Sequence, residues 1–286
     1  MSDTGALTWE ASGGLVDRAA EFLADGPMDT AQVASRVLHI RGNAGAAAKA
    51  VFALLGGDDR FSVDGAGVWR LRSRASAGER LAAERFVVVD VETTGGSPAR
   101  GHRITEFAAV AVENGTVGEV FSSLVNPERP IPTMITRLTG ISQSMVANAP
   151  RFAELLPRIE PLLTGRVFVA HNASFDWRFL CAETERARGR TPAGRRLCTV
   201  KLARRMLPAQ ARCSLDALAD YFGIEIAARH RAEDDAVGTA RLLLHLLEMV
   251  ETRGIGDWAS LEAHLAPRRR SRTPRRTGRP TSIDRI

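Results

Sequence analysis

Phe86-Val87-Val88-Val89-Asp90-Val91-Glu92-Thr93-Thr94-Gly95 is the stretch on which the reading of this chain turns. Four apolar, mostly β-branched residues ahead of Asp90 predict a strand buried on both faces. Asp90 and Glu92 are separated by one residue, so on a pleated strand their side chains project to the same side. Two ionised carboxylates at the end of such a strand lose hydration without gaining a partner, which is costly. A divalent cation held between them removes that cost. The plainer alternative is an acidic strand end that caps a neighbouring helix or pairs with Arg.

Beyond this strand, Gly95-Gly96-Ser97-Pro98 makes a turn, and residues 104–112 and 117–125 predict two more strands. Asn114-Gly115 between them is a strong hairpin signal. Residues 133–138 read as a short helix and 151–163 as a helix whose regularity Pro157 and Pro161 make doubtful. Val167-Phe168-Val169-Ala170 is a fourth buried strand, running into His171-Asn172-Ala173-Ser174-Phe175-Asp176 and a helix over 175–185. A strand that feeds a helix puts Asp176 at the C-terminal edge of a sheet, where α/β folds build their sites. Residues 196–199 offer another short strand, with helices over 200–206 and 215–222. His230-Arg231-Ala232-Glu233-Asp234-Asp235 then opens a long helix that buries Val237, Leu242, Leu243, Leu246 and Leu247, and 258–265 forms a final short helix.

Ahead of residue 86, apolar spacing predicts helices over 15–23, from Asp29 or Thr30 through Leu38, and over 46–55. Extended pieces at 60–63 and 68–71 flank Asp64-Gly65-Ala66-Gly67. Three helices and a small hairpin resemble a winged helix-turn-helix, an architectural match without diagnostic residues. Such a domain either sets its third helix in the DNA major groove or serves as a protein-docking module. The expected organisation is a winged-helix-like domain at 1–72, a polar linker at 73–84, an α/β body at 85–252, a short helical extension at 253–266 and a tail at 267–286.

The net charge of +6 over 286 residues suggests a nucleic-acid partner until it is located. Eight arginines against Asp284 give residues 267–286 a net +7, leaving −1 on residues 1–266. A tail of Arg, Pro, Ser and Thr has too little apolar surface to fold and is expected to be disordered. It either holds phosphates without sequence preference or only solubilises the chain. No apolar run approaches the length of a membrane span, and residues 1–14 have neither the basic start nor the apolar core of a leader. The expectation is therefore a cytoplasmic protein with no membrane partner. Cys181, Cys198 and Cys213 lack C-x-x-C spacing and read as reduced structural thiols.

Acid groups thus stand at three separated places: Asp90 with Glu92, Asp176, and Asp234 with Asp235. If they converge, the four carboxylates repel one another unless cations sit between them, for which two divalent ions about 4 Å apart are the usual solution. Oxygen-only ligation favours Mg²⁺ or Mn²⁺. The segments Val89 to Gly95, His171 to Asp176 and His230 to Asp235 resemble, in order, the three motifs of the DEDDh exonuclease superfamily, which includes the proofreading ε subunit of bacterial DNA polymerase III. Leu138-Thr139-Gly140-Ile141 and Cys198-Thr199-Val200-Lys201-Leu202-Ala203-Arg204 resemble family segments between the motifs, so the similarity spans about residues 84–250.

The resemblance implies a ribonuclease-H-like α/β fold, a mixed sheet flanked by helices. It also implies a metal-dependent 3′-to-5′ exonuclease that releases nucleotides from DNA 3′ ends with two Mg²⁺ or Mn²⁺ ions, in repair or proofreading. By the same resemblance Asp90, Glu92 and Asp235 bind the ion that activates water, and Asp90 bridges to a second ion held by Asp176 directly or through water. His230, five positions before Asp235, accepts the proton of the attacking water. Motif register favours Asp235 over Asp234, which then faces solvent or caps the helix. Thr93, with its backbone, would meet the terminal sugar, and Leu138 with Thr139 would wedge near the last base. His171 is expected as a hydrogen-bonded structural histidine, and Phe175 as a core residue. The implied partners are single-stranded or frayed DNA ends, with RNA and a polymerase or repair partner left open. The alternatives are an RNA 3′-end trimmer and a catalytically inert DNA-binding regulator.

Overall fold

The computed structural model describes residues 6–11, 14–24, 26–58, 60–71 and 81–266. The basic tail and most of the linker lie outside the described residues. The first elements are β1 (Thr8–Ala11), α1 (Leu15–Ala24), β2 (Met28–Asp29), α2 (Thr30–Val37), α3 (Ala44–Leu55), β3 (Phe61–Val63) and β4 (Val68–Leu71). Asp29 is the cap of α2: its carboxylate accepts the Gln32 N–H at 2.8 Å, while Gln32 accepts the Asp29 N–H at 3.0 Å. Thr30 instead donates its hydroxyl to the Gly67 carbonyl. Val33, Val37, Val51, Leu55 and Trp69 form the core of this small unit. The predicted hairpin gains a third strand, because β2 pairs antiparallel with β4 in the order β2-β4-β3. A two-residue strand is too short to display a period, which is why the sequence hides it.

The body continues with β5 (Phe86–Thr93), β6 (Ile104–Glu113), β7 (Thr116–Leu124), α4 (Thr133–Thr139), α5 (Gln143–Val146), α6 (Phe152–Leu163), β8 (Val167–Ala170) and α7 (Ala173–Arg188). It ends with β9 (Arg190–Ala193), β10 (Arg196–Cys198), α8 (Thr199–Met206), α9 (Leu215–Phe222), α10 (Ala232–Thr252) and α11 (Trp258–Leu265). Five strands form a mixed sheet in the order β10-β8-β5-β6-β7, antiparallel from β5 to β7 and parallel from β5 to β10. Helices cover both faces, so the fold is the α/β mixed sheet that the sequence implies. The β6–β7 hairpin turns through Asn114 (φ 50°) and Gly115 (φ 71°), two left-handed positions of the kind Asn and Gly tolerate.

Strand alternation sorts the core into two layers. Phe86 and Val88, with Ala108 and Val110, pack against Leu242, Leu243 and Leu246 of α10. Val87, Val89 and Val91, with Phe107 and Ala109, pack against Leu156, Ile159, Phe179 and Leu180 of α6 and α7. Asp90 and Glu92 continue the even series and so belong to the α10 side. Contrary to the sequence reading, α6 runs unbroken through Pro157 and Pro161. Burial of Phe152, Leu155, Leu156, Ile159 and Leu163, at about 1.5–3 kcal/mol each, outweighs roughly 3 kcal/mol per interior proline.

Contacts run across the expected domain boundaries at both ends of the chain. β1 is part of the body, pairing antiparallel with β9. Leu7 is 1% exposed in the core beside α6, and its N–H donates to the Arg166 carbonyl at 2.8 Å. Gly194 makes this possible, since a Cβ there would stand 3.0 Å from the Ala6 carbonyl oxygen. At the other end, Leu81 is buried and donates its N–H to Gly256. Trp258 and Leu261 of α11 share the α10 core, so the C-terminal extension is integral to the body.

Candidate active site

The pairing of β8 with β5 ends at Val88 opposite Val169, which leaves the last residues of β5 without a neighbour on that edge. An unpaired buried N–H is costly, and a side chain takes the missing strand's place. The chain leaves β8, turns at Asn172 (φ 71°) and enters α7. Asp176 in the first turn of α7 is buried, and its Oδ1 accepts the Val91 N–H at 3.2 Å. A carboxylate is thereby fixed beside the peptide that links Asp90 to Glu92.

The other acid arrives on α10. Asp235 is buried in the first turn, whereas Asp234 is only half-buried. Asp235 Oδ2 accepts the backbone N–H of His230 at 3.1 Å, across a left-handed His230 (φ 60°). Glu92, His230 and Asp235 each offer a ligand atom, all within 4.8 Å of one another. Gly238 keeps the preceding loop close to the helix. A Cβ at that position would meet the Ile226 side chain at 2.7 Å.

Two residues that sequence reasoning passed over help to build the site. Glu106 lies opposite Glu92 in the β5–β6 ladder and is 1% exposed. It accepts from Arg231 Nη2 at 2.6 Å and from the Ala232 N–H at 2.9 Å, pinning the start of α10 to the sheet. Its signal in the sequence is an acid directly ahead of the apolar run Phe107 to Val112 of the same strand. The second residue is Arg229, whose guanidinium donates from Nη1 to Asp235 Oδ1 and from Nε to Asp216 Oδ1 of α9. Nothing in the spacing of a loop arginine marks it out.

Electrostatics show what the cluster lacks. Burial, followed by the charges of Asp176, Asp235 and Glu92, holds the Asp90 carboxyl well above the ordinary range, with Arg229 acting in the opposite direction. Glu92 is pushed up to about 7 by burial, then by Asp235 and Glu106. Burial also raises Asp176 and Asp235, although hydrogen bonds to each carboxylate oppose it. The carboxyls of Asp90, Glu92, Asp176 and Asp235 are all raised, chiefly by burial, so a cation among them would favour their charged forms. Oxygen donors, with one imidazole, suit a hard divalent cation such as Mg²⁺ or Mn²⁺, and the residues present fit that group.

The remaining expected residues are placed as follows. Thr93 follows a register shift in the ladder, is buried, and donates its hydroxyl to the Gly95 carbonyl at 2.8 Å. Leu138 is 53% exposed on α4, while Thr139 is buried with its hydroxyl donated to Ile135 at 3.0 Å. His171 Nδ1 lies 2.9 Å from Thr199 Oγ1. Burial pushes its pKa down to about 4, so the ring is neutral. Phe175 packs on the core with its ring centroid 5.0 Å from that of Phe179. All three cysteines are free thiols. A groove of about 900 Å³ over Phe86, Val112 and Leu247 lies at the opposite end of β5 and holds none of the clustered residues.

A family model described as Exonuclease, RNase_T, matches residues 87–243. The 3′-5′ exonuclease DinG of Bacillus subtilis (strain 168) is 41% identical over 165 residues, 58% of this chain and 18% of that protein. A DNA polymerase III subunit epsilon-like protein of Rhodobacter capsulatus is 45% identical over 180 residues, 62% of this chain and 25% of that protein. The DNA polymerase III subunit epsilon of Aquifex aeolicus (strain VF5) is 38% identical over 178 residues, 62% of this chain and 88% of that protein. The chain thus spans less than a third of the length of the first two relatives and most of the third. Exonuclease X in complex with 5′ overhanging duplex DNA is 29% identical with a TM-score of 0.49, covering 63% of this chain and 99% of that one.

Proposed function

The chain belongs to the Exonuclease (RNase_T) family, and on that premise we propose that it is a metal-dependent 3′-to-5′ exonuclease that shortens DNA from its 3′ end. The observation that carries this reading is the gathering of acids from three separate parts of the chain at one strand end: Glu92, His230 and Asp235 offer ligand atoms within 4.8 Å of one another, Asp176 sits on the Val91 N–H, and burial followed by neighbouring carboxylates raises Asp90 and Glu92. Asp90, Glu92, Asp176 and Asp235 would hold the cations. When bound, such ions supply Lewis acidity to the phosphoryl group and make water a stronger nucleophile.

The chain's own part is positional and acid–base. His230 offers its ring beside Glu92 and Asp235, placed to take a proton from water as the water oxygen attacks phosphorus. Attack forms one P–O bond and breaks the bond to the 3′ oxygen of the preceding nucleotide. The products are a free nucleoside 5′-monophosphate and a strand with a new 3′ hydroxyl. Thr93 and Leu138 are assigned to the terminal nucleotide, Thr93 through its backbone, because its hydroxyl is already donated. Thr139 supports the turn that presents Leu138.

DNA is proposed as the substrate because relatives carry the names of DNA polymerase III subunits, and a polymerase or repair partner is proposed on the same ground. The small unit at 15–71, with three helices and the sheet order β2-β4-β3, is read as a winged helix. The charge on its third helix is Lys49 alone, which favours a docking role over phosphate contact. The test is digestion of 5′-labelled DNA and RNA oligomers of matched sequence in Mg²⁺. Wild type should give a ladder shortening from the 3′ end, and Asp90→Ala should give none while keeping its circular dichroism spectrum. Retained activity in Asp90→Ala would refute the site, and RNA degraded much faster than DNA would refute the substrate.

A further inference from the structure

Arg229 sits where the candidate cation would act. Its Nη1 donates to Oδ1 of Asp235, while the other oxygen of the same carboxylate is taken by the His230 N–H. Asp235 therefore has both oxygens engaged, one by a backbone N–H and one by a guanidinium. Arg231, the neighbouring guanidinium, is committed to Glu106 by Nε and Nη2. Arg229 is divided: its Nε donates to Asp216 on α9, whose side chain is 62% exposed. Its guanidinium thus bridges the buried Asp235 and an acceptor at the rim. Arg229 also favours the charged forms of Asp90 and Glu92.

A divalent ion on Asp235 and a guanidinium on the same carboxylate repel each other at this range. We propose that Arg229 is a built-in counter-ion, occupying Asp235 until a divalent cation displaces it and then held at the rim by Asp216. This rests on the metal-dependent reading above. Two consequences follow from a single charge serving two states. Arg229 orders the acidic cluster before the cation arrives, and it weakens the binding of that cation.

The experiment is calorimetric titration of the full chain with Mn²⁺, with melting temperatures recorded in chelator and in saturating Mn²⁺. Arg229→Gln should bind Mn²⁺ on the order of tenfold more tightly than wild type. It should melt lower than wild type in chelator, and the gap should close in saturating Mn²⁺. Asp216→Asn should bind Mn²⁺ several-fold more weakly, because the arginine then has Asp235 alone as its carboxylate partner. Wild-type uptake of Mn²⁺ that Arg229→Gln leaves unchanged or weakens would overturn the role of Arg229. Unchanged uptake in Asp216→Asn would overturn the rim anchor. No uptake by either wild type or Arg229→Gln would instead overturn the metal reading of the site, and this inference with it.

Discussion

Replacing Glu92 with Gln is expected to stabilise the metal-free protein while abolishing the proposed activity. The Glu92 carboxyl rises from an ordinary 4.5 to about 7 in the folded chain, first through burial and then through Asp235 and Glu106. Between those values the native state holds a proton that the unfolded chain has released, so stability falls as pH rises through the window. The penalty is absent below 4.5 and complete above 7. Each tenfold change in proton affinity is worth about 1.4 kcal/mol, which places the cost at pH 8 on the order of 3 kcal/mol. A glutamine cannot ionise and escapes it. At roughly 2–4 °C per kcal/mol for a chain of this size, the variant should melt roughly 6–12 °C above wild type. The assay is thermal unfolding by circular dichroism in chelator at pH 4.5 and pH 8, repeated at pH 8 with Mg²⁺. The curves should coincide at the acid pH and separate at pH 8. Mg²⁺ should raise wild type more than the variant, since the variant has lost a ligand. A Glu92→Gln protein no more stable than wild type at pH 8 in chelator would refute the claim that the fold ionises Glu92 at a cost of burial and neighbouring charge.

Three further outcomes test other parts of the structure. Leu7→Ala should destabilise the body by about 2–5 kcal/mol in urea unfolding, because Leu7 fills the core beside α6; a loss below 1 kcal/mol would mean that residues 6–11 do not dock there. Arg231→Ala strips Glu106 of its charge partner. With the arginine partly exposed, the cost should be about 1–3 kcal/mol, and it should shrink when Glu106→Gln is added; a full cost in the double variant would argue that the pair is not what holds α10. Removing residues 267–286 should weaken DNA binding at low salt and flatten its salt dependence while turnover of short oligomers stays nearly constant. An unchanged salt slope would rule out phosphate contact by the tail.

Much of the local architecture is legible because it is encoded by neighbours. The apolar run into Asp90 predicts β5, Asn114-Gly115 predicts the hairpin through its left-handed backbone, and helical spacing locates α7, α9 and α10. The misses have identifiable causes. β2 and β9 are two and four residues long, too short for a period, and β1 is a strand through its pairing with residues some 180 positions away rather than through its own pattern. Pro157 and Pro161 contradict helix propensity, and tertiary burial overrides it.

The sequence alone determined that Asp90 and Glu92 share a face, since strand pleat is a property of the chain itself, while the meeting of Asp176, His230 and Asp235 with them was implied only by resemblance to a family's motifs. Tertiary structure decided how the charges are satisfied. It set Asp176 on the Val91 N–H, Glu106 under the start of α10, and Arg229 between Asp235 and Asp216. Two of these contacts join residues 85 and 126 positions apart, and local periodicity carries no record of a partner that distant. The counter-charge in a buried acidic pocket is fixed by what the fold brings near it.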